Sequence, residues 1–108
     1  MTPYRDWYLA IHVPSEELRN DLALAVADGV AAGKVRHPVA IRSIEAIAGA
    51  SEPTLHVTAR TRLSPAVSEE AVVDQLTTRV RGYGAQAHLD LAAMTVELRP
   101  DRPDGSDH

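Results

Sequence analysis

Three histidines, His12, His56 and His88, are the residues of this chain best suited to chemistry. Imidazole groups bind zinc and similar cations, and they titrate near neutral pH, so a cluster of them can change an interface on protonation. The elements predicted below place the three on strands that meet at one end of a sheet face. A row His88, His12, His56 is therefore a candidate metal site, and the alternative is a set of half-exposed surface histidines in different registers.

A second candidate site lies at the opposite end of the same predicted face, where the register places Tyr8 between Arg60 or Arg62 and Glu97. Such arginines could bind a small acid. The alternative is a solvated cross-strand ion pair, which contributes little to stability. Together the candidate binding residues of this face are Tyr8, His12, His56, Arg60, Arg62, His88 and Glu97.

Other chemistry is not indicated by the sequence. It contains no nucleophile elbow, no phosphate-cradling glycine loop and no paired-carboxylate site. The absence of cysteine excludes disulfides, thiolate metal sites and thiol nucleophiles, and it is compatible with a reducing cytoplasm. No cofactor is expected, and an enzyme is expected only if the face forms a cavity in a dimer.

The charge balance argues against two classes of partner. With 11 Lys and Arg against 15 Asp and Glu, the net charge of −4 gives no attraction to nucleic acid or to anionic membranes. The N-terminal apolar run is too short for a membrane span, and no basic region precedes it as in a secretion signal. We expect a cytoplasmic protein that neither binds nucleic acid nor inserts into a membrane.

The first third of the chain predicts a strand followed by a helix. Apolar and polar residues alternate from Trp7 to Val13, which is the pattern of a strand with one buried face. Pro14 ends this strand, and Ser15 is suited to cap a helix whose apolar stripe ends near Gly33.

The segment from Val39 to Ile47 is ambiguous. Its isoleucine spacing fits a helix, whereas its β-branched content and its flanking proline and glycine fit a strand. We predict a strand with a bulge near Arg42 and Ser43. A hairpin loop at 49–53 then leads into the clearest strand of the chain, Thr54 to Leu63.

The remainder predicts a second helix and a last strand. Ser68 caps the helix, and Gly82 and Gly84 are expected to stop it. From Ala85 to Arg99 apolar and polar residues alternate, but the alternation changes phase partway. One extra residue around 92–93, as in a β-bulge, would place both parts in a single strand.

The order of these elements predicts an α+β domain with a ferredoxin-like split β-α-β arrangement, βαββαβ. Two strand-helix-strand halves would form a four-stranded antiparallel sheet of order 4-1-3-2, with both helices on one face. We expect a single domain over residues 1–99 and a disordered tail over 100–108.

The sequence from Leu55 to Arg81, LHVTARTRLSPAVSEEAVVDQLTTRVR, and the later LDLAAMTVELRP resemble the small α/β module of the alkaline shock protein family. The resemblance covers residues 18–99, and the same pattern resembles the cytoplasmic domain of cation-efflux transporters. The alkaline shock resemblance implies a non-enzymatic cytoplasmic protein of the stress response that associates with itself or with an envelope-linked partner. It transfers no catalytic residue.

Two functions follow as hypotheses. The first is a non-catalytic association module that forms a homodimer or binds a protein partner through its open sheet face or an edge strand. The second is a small dimeric ferredoxin-like enzyme or small-ligand binder with a pocket at the sheet face.

Overall fold

The computed structural model describes residues 3–33, 37–47 and 52–100. Its elements in chain order are β1 (Tyr4–His12), α1 (Glu16–Ala32), β2 (Ala40–Ile47), β3 (Thr54–Arg62), α2 (Glu69–Gln86) and β4 (Thr95–Arg99). This is the predicted α+β class, with two helices and a four-stranded antiparallel sheet. The predicted loop at 49–53 and tail at 100–108 lie mostly outside the described residues.

Both helices begin where the sequence predicts. The Oγ of Ser15 accepts a hydrogen bond from the backbone N–H of Leu18 at 3.1 Å. The Oγ of Ser68 accepts one from the N–H of Ala71, also at 3.1 Å. Each bond satisfies a donor that the first turn of a helix leaves free. The helix α1 ends at its cap residue Gly33, as predicted.

The ambiguous segment is a strand with a bulge, as predicted. The strand β2 runs antiparallel to β3, and its register shifts between Ile41 and Ser43, which leaves Arg42 as the extra residue. The bulge returns Ile44 to the face of Ile41, and both side chains pack against the core. An isoleucine spacing of three, which resembles a helical pattern, is therefore compatible with a strand.

The strand order of the sheet is β2-β3-β1-β4, and every neighbouring pair is antiparallel. The strand β1 pairs with β3 along its whole length, whereas β4 pairs only with residues 8–12 of β1. The two central strands therefore fix the positions of most polar residues discussed below.

The last strand is shorter than predicted. Residues 85–94 form the end of α2 and a turn-rich connection, and β4 begins only at Thr95. In the connection, the Asp90 carboxylate accepts a hydrogen bond from the N–H of Ala92 at 3.0 Å. Such side-chain bonds to the local backbone compete with strand pairing. The prediction of a strand is therefore wrong for residues 85–94.

The helix α2 continues through Gly82 and Gly84, so the prediction that these glycines stop it is also wrong. Gly84 is buried, and a Cβ added there would collide with the side chain of Leu91. Glycine in a helix interior costs about 1 kcal/mol relative to alanine. At Gly84 the close packing of Leu91 offsets that cost.

A glycine in α1 sets the approach of the two helices. A Cβ at Gly29 would overlap three ring atoms of Tyr83 in α2. Overpacking usually costs about 1–3 kcal/mol, and alanine inside a helix regains about 0.5–1 kcal/mol of this, so Gly29→Ala should lower the free energy of unfolding by up to about 2 kcal/mol. Gly82→Ala is the matched control, because the space around Gly82 is open, and it should raise the free energy by about 0.5–1 kcal/mol. Denaturant titration measures both, and a stabilised Gly29→Ala variant would contradict the close approach.

One face of the sheet and both helices enclose the core. The helix α1 packs on β2 and β3, and α2 packs on α1 and β4. The fully buried side chains are Leu9, Ile11, Leu22, Val26, Val39, Leu55, Val57, Val72, Leu76 and Val80. Trp7 is also buried, and its indole N–H donates to the Oγ1 of Thr61 at 2.9 Å. Among the described residues, no helix covers the opposite face of the sheet.

Candidate functional site

The polar residues of the strands gather on the sheet face opposite the helices. Residues paired across a ladder point to the same face, and so do alternate residues along a strand. The registers assign the following residues to this face, called the open face below: Tyr4, Asp6, Tyr8, Ala10, His12, Ala40, Ser43, Glu45, Ile47, Thr54, His56, Thr58, Arg60, Arg62, Thr95, Glu97 and Arg99. It includes every predicted site residue except His88.

One end of the open face, called the basic end, consists of Tyr4, Asp6, Arg60 and Arg62. Arg60 donates from Nε to Oδ1 of Asp6 at 2.8 Å and from Nη2 to Oδ2 at 3.3 Å. This two-point hydrogen bond raises the pKa of Arg60. The same guanidinium lies 5.8 Å from the centroid of the Tyr4 ring. Arg62 is exposed on the position opposite Tyr4, so the basic end presents two arginines with one carboxylate.

The other end, called the acidic end, consists of His12, Glu45, His56 and Glu97. The Nε2 of His12 lies 3.4 Å from Oε1 of Glu97, and Arg99 donates to the same oxygen at 2.8 Å. The hydrogen bond from Arg99, and after it the one from His12, lowers the pKa of Glu97. Glu45 is exposed on β2, directly opposite His56.

His56 is half-buried among these groups. Burial lowers its pKa below the ordinary value, and the positive charge of Arg99 lowers it further, while Glu45 opposes the shift. Its Nδ1 atom is buried and has no hydrogen-bond partner among the described residues. The imidazole of His56 is therefore mainly neutral near pH 7.

The lowered pKa of His56 predicts a pH dependence of stability. As the pH falls below about 6.5, the ordinary histidine value, the unfolded chain binds a proton at this residue before the folded chain does. The free energy of unfolding should therefore fall between pH 7 and the folded-state pKa, and His56→Gln should flatten this part of the curve. Denaturant titrations over that range measure the effect, with His88→Gln as the matched control outside the sheet. A His56→Gln curve parallel to wild type would contradict it.

Thr54, His12 and Glu97 form a chain of hydroxyl, imidazole and carboxylate groups. The Oγ1 of Thr54 lies 3.2 Å from Nδ1 of His12. The hydroxyl, however, donates its own proton to the backbone carbonyl of Glu52 at 2.9 Å, so it accepts from the imidazole. A nucleophile must instead give its proton to the base. The hydroxyl therefore orients His12 and is not activated as a nucleophile.

The predicted histidine row is wrong in one member. His88 lies in the connection after α2, with a φ of 60°, and it is exposed outside the sheet. The position opposite His12 on β4 is occupied by Thr95. His12 and His56 remain diagonal neighbours on the central strands. Within the part of the chain that the structure describes, no group of three or more His, Asp or Glu residues could hold a metal ion.

The predicted cluster around Tyr8 is also rearranged. Tyr8 lies opposite Thr58 and Arg99, whereas Glu97 lies two residues further along, opposite Ala10. Glu97 therefore bonds to His12 and not to the arginines of β3.

The cross-strand partner of Arg60 is Asp6, which sequence reasoning missed because the predicted strand began at Trp7. Arg5 interrupts the alternation of apolar and polar residues that would have extended the predicted strand toward the N-terminus. It occupies a position facing the helices, where an apolar residue is expected, and its guanidinium lies 3.8 Å from the centroid of the Trp7 ring.

No protein-family model, no curated protein and no solved structure matches the chain. In residues 3–33, 37–47 and 52–100, neither helix combines the length and the apolar character needed to cross a bilayer.

Proposed function

We propose that the chain is a ferredoxin-like split β-α-β domain and that it acts as a non-catalytic association module, forming a homodimer through its open face. The strand order supports this arrangement, since β2-β3-β1-β4 reads 4-1-3-2 from the other edge, and both helices pack on the same face. The association is supported above all by the separation of charge into a basic end and an acidic end. The alkaline shock protein resemblance implies the same class of activity.

The charge separation makes the open face complementary to itself in one orientation. Arg60 and His56 are four positions apart on β3, so the two ends are separated by about 13 Å. Two faces packed with their strands in opposite directions bring each basic end over an acidic end. If the strands of the two faces ran in the same direction, basic ends would lie over basic ends and acidic ends over acidic ends. Such contacts between like charges cost several kcal/mol in an interface. The charges therefore select one orientation.

A two-fold axis in the plane of the interface and perpendicular to the strands produces this orientation. The strands β3 and β2 of one copy then lie against the same strands of the other copy, which run in the opposite direction. Arg60 approaches Glu45 of the second copy, and the same contact occurs twice because the interface is symmetric. The central residues Thr58 and Tyr8 lie near the axis.

The size of the open face fits a reversible dimer. Four strands about 4.8 Å apart and about 27 Å of strand length give a flat area of roughly 500 Å² on each copy. Two such faces would bury roughly 1,000 Å², which is the lower limit for a specific interface. We therefore expect a micromolar dimer rather than an obligate one.

The open face is a better candidate for association than the sheet edge. The strand β2 is an edge strand with three isoleucines, which would favour pairing with another chain. Its bulge at Arg42, however, interrupts the regular spacing of backbone groups near one end. Bulges of this kind protect natural edge strands against pairing.

Sedimentation velocity over a range from low micromolar to hundred-micromolar protein tests the proposal. The sedimentation coefficient should rise with concentration from the value of a monomer to that of a dimer. High salt should weaken the association, since salt screens charges at the exposed ends of the face. A monomer at every concentration would overturn the proposal.

A further inference from the structure

A groove of about 760 Å³ lies beside the basic end of the open face, between the start of β2, the end of β3 and the two helices. Its apolar wall includes Val30, Ile41, Val67 and the ring of Tyr83. These side chains come from α1, β2, the β3–α2 connection and α2. Concave sites of this size with mostly apolar walls are typical of small-molecule binding sites.

The polar lining of the groove has one sign of charge. Four arginines line it, Arg42, Arg60, Arg62 and Arg79, together with His37. No Asp or Glu side chain is among the described residues that line it, although acidic residues outnumber basic ones in the chain by 15 to 11. The guanidinium of Arg60 forms an ion pair with Asp6, its cross-strand neighbour on the open face. The groove therefore concentrates positive charge on a protein of net negative charge.

Arg79 is held in place before any ligand binds. Its guanidinium donates to the backbone carbonyl of Val39 and, at 2.9 Å, to the hydroxyl of Tyr83. Its Nε is buried and has no hydrogen-bond partner among the described residues. An anion nearby would offset the cost of burying this partly unsatisfied cation. Arg42 and Arg62 are exposed, and they can turn toward a bound group.

We propose that this groove binds a small organic anion, with an oxyanion group at the arginines and an aliphatic or aromatic body against the apolar wall. Arginine recognises carboxylate and phosphate groups by two-point hydrogen bonds, so both are suitable head groups. The apolar wall distinguishes such a ligand from a free inorganic ion. Arg42, Arg79 and the apolar wall lie off the open face, whereas Arg60 and Arg62 belong to its basic end, so the groove and the proposed dimer interface share two arginines.

Protein NMR titrations with benzoate, phenyl phosphate, benzyl alcohol and inorganic phosphate test this site. Benzoate or phenyl phosphate should shift amide signals of residues 29–33, 37–42 and 79–83. The neutral alcohol and inorganic phosphate should bind at least tenfold more weakly, since each lacks half of the recognised chemistry. The better of the two aromatic anions identifies the head group. Shifts spread over the whole surface, or equal binding of benzyl alcohol, would overturn the proposal.

The variant Arg42→Gln with Arg62→Gln removes two exposed arginines of the groove and should weaken binding at least tenfold while the fold is retained. Arg5→Gln with Arg99→Gln removes the same charge outside the groove and should bind as wild type. Equal losses in both variants would show a general charge effect and overturn the site. Repeating the titration with Glu45→Arg, which alters only the acidic end, separates this result from the oligomeric state.

Discussion

Replacing Leu76 with alanine should lower the free energy of unfolding by about 2–5 kcal/mol. Leu76 lies in the middle of α2 with 0% of its surface exposed, inside the cluster formed by the sheet and both helices. The truncation removes apolar contacts and leaves a cavity that close-packed neighbours fill only in part. Denaturant titration at low protein concentration measures the loss for the monomer.

The control for this prediction is Leu24→Ala. Leu24 is on the other helix, α1, and 66% of its surface is exposed. The same chemical change there should alter the free energy of unfolding by less than about 0.5 kcal/mol. Similar losses in the two variants would show that the α2 face does not form the core.

Inverting the charge of either end of the open face should abolish the homodimer. In the basic-end variant, Arg60→Glu and Arg62→Glu place acidic residues over the acidic end of the second copy. In the acidic-end variant, Glu45→Arg and Glu97→Arg produce the opposite repulsion. Because like charges cost several kcal/mol in an interface, the dimer should weaken by at least about a hundredfold in each variant. Sedimentation velocity at a concentration where wild type is dimeric measures this loss.

A helix-face variant separates a specific interface from net charge. Asp28→Arg with Asp74→Arg changes the net charge as much as the acidic-end variant, but at exposed positions on α1 and α2. It should dimerise like wild type. A loss of association in this control would mean that total charge, and not the open face, governs the oligomeric state.

The features predicted well from the sequence have local causes. A serine before two glutamates marks a helix start because the side chain and the free N–H groups are only three residues apart. The bulge in β2 was predictable because Ile41 and Ile44 must share a face, which a strand allows only with an extra residue between them.

The features predicted wrongly depend on contacts between distant residues. Leu91 and Met94 are buried, so residues near the end of the chain carry an apolar pattern without belonging to a strand. Gly84 lies within a helix because Leu91 packs against it, which the local sequence does not indicate. The loss of His88 from the histidine row follows directly from this shortened strand. The Asp90 side chain, which bonds two residues ahead, was the available signal of a turn.

The partners across the open face were uncertain for a related reason. A shift of register by one residue changes every cross-strand neighbour. The position of Glu97 opposite Ala10 could not be read from alternation alone, since the strand start at Thr95 sets it. The separation into basic and acidic ends became apparent only when all three registers were known.

Mixing the basic-end variant with the acidic-end variant tests the central claim most directly. Each variant alone should sediment as a monomer, whereas an equimolar mixture should form a heterodimer, because the inverted ends are complementary to each other. Association through the open face predicts this recovery without any change to the rest of the surface. A mixture that sediments as monomer, while both variants retain the wild-type fold, would contradict association through the open face.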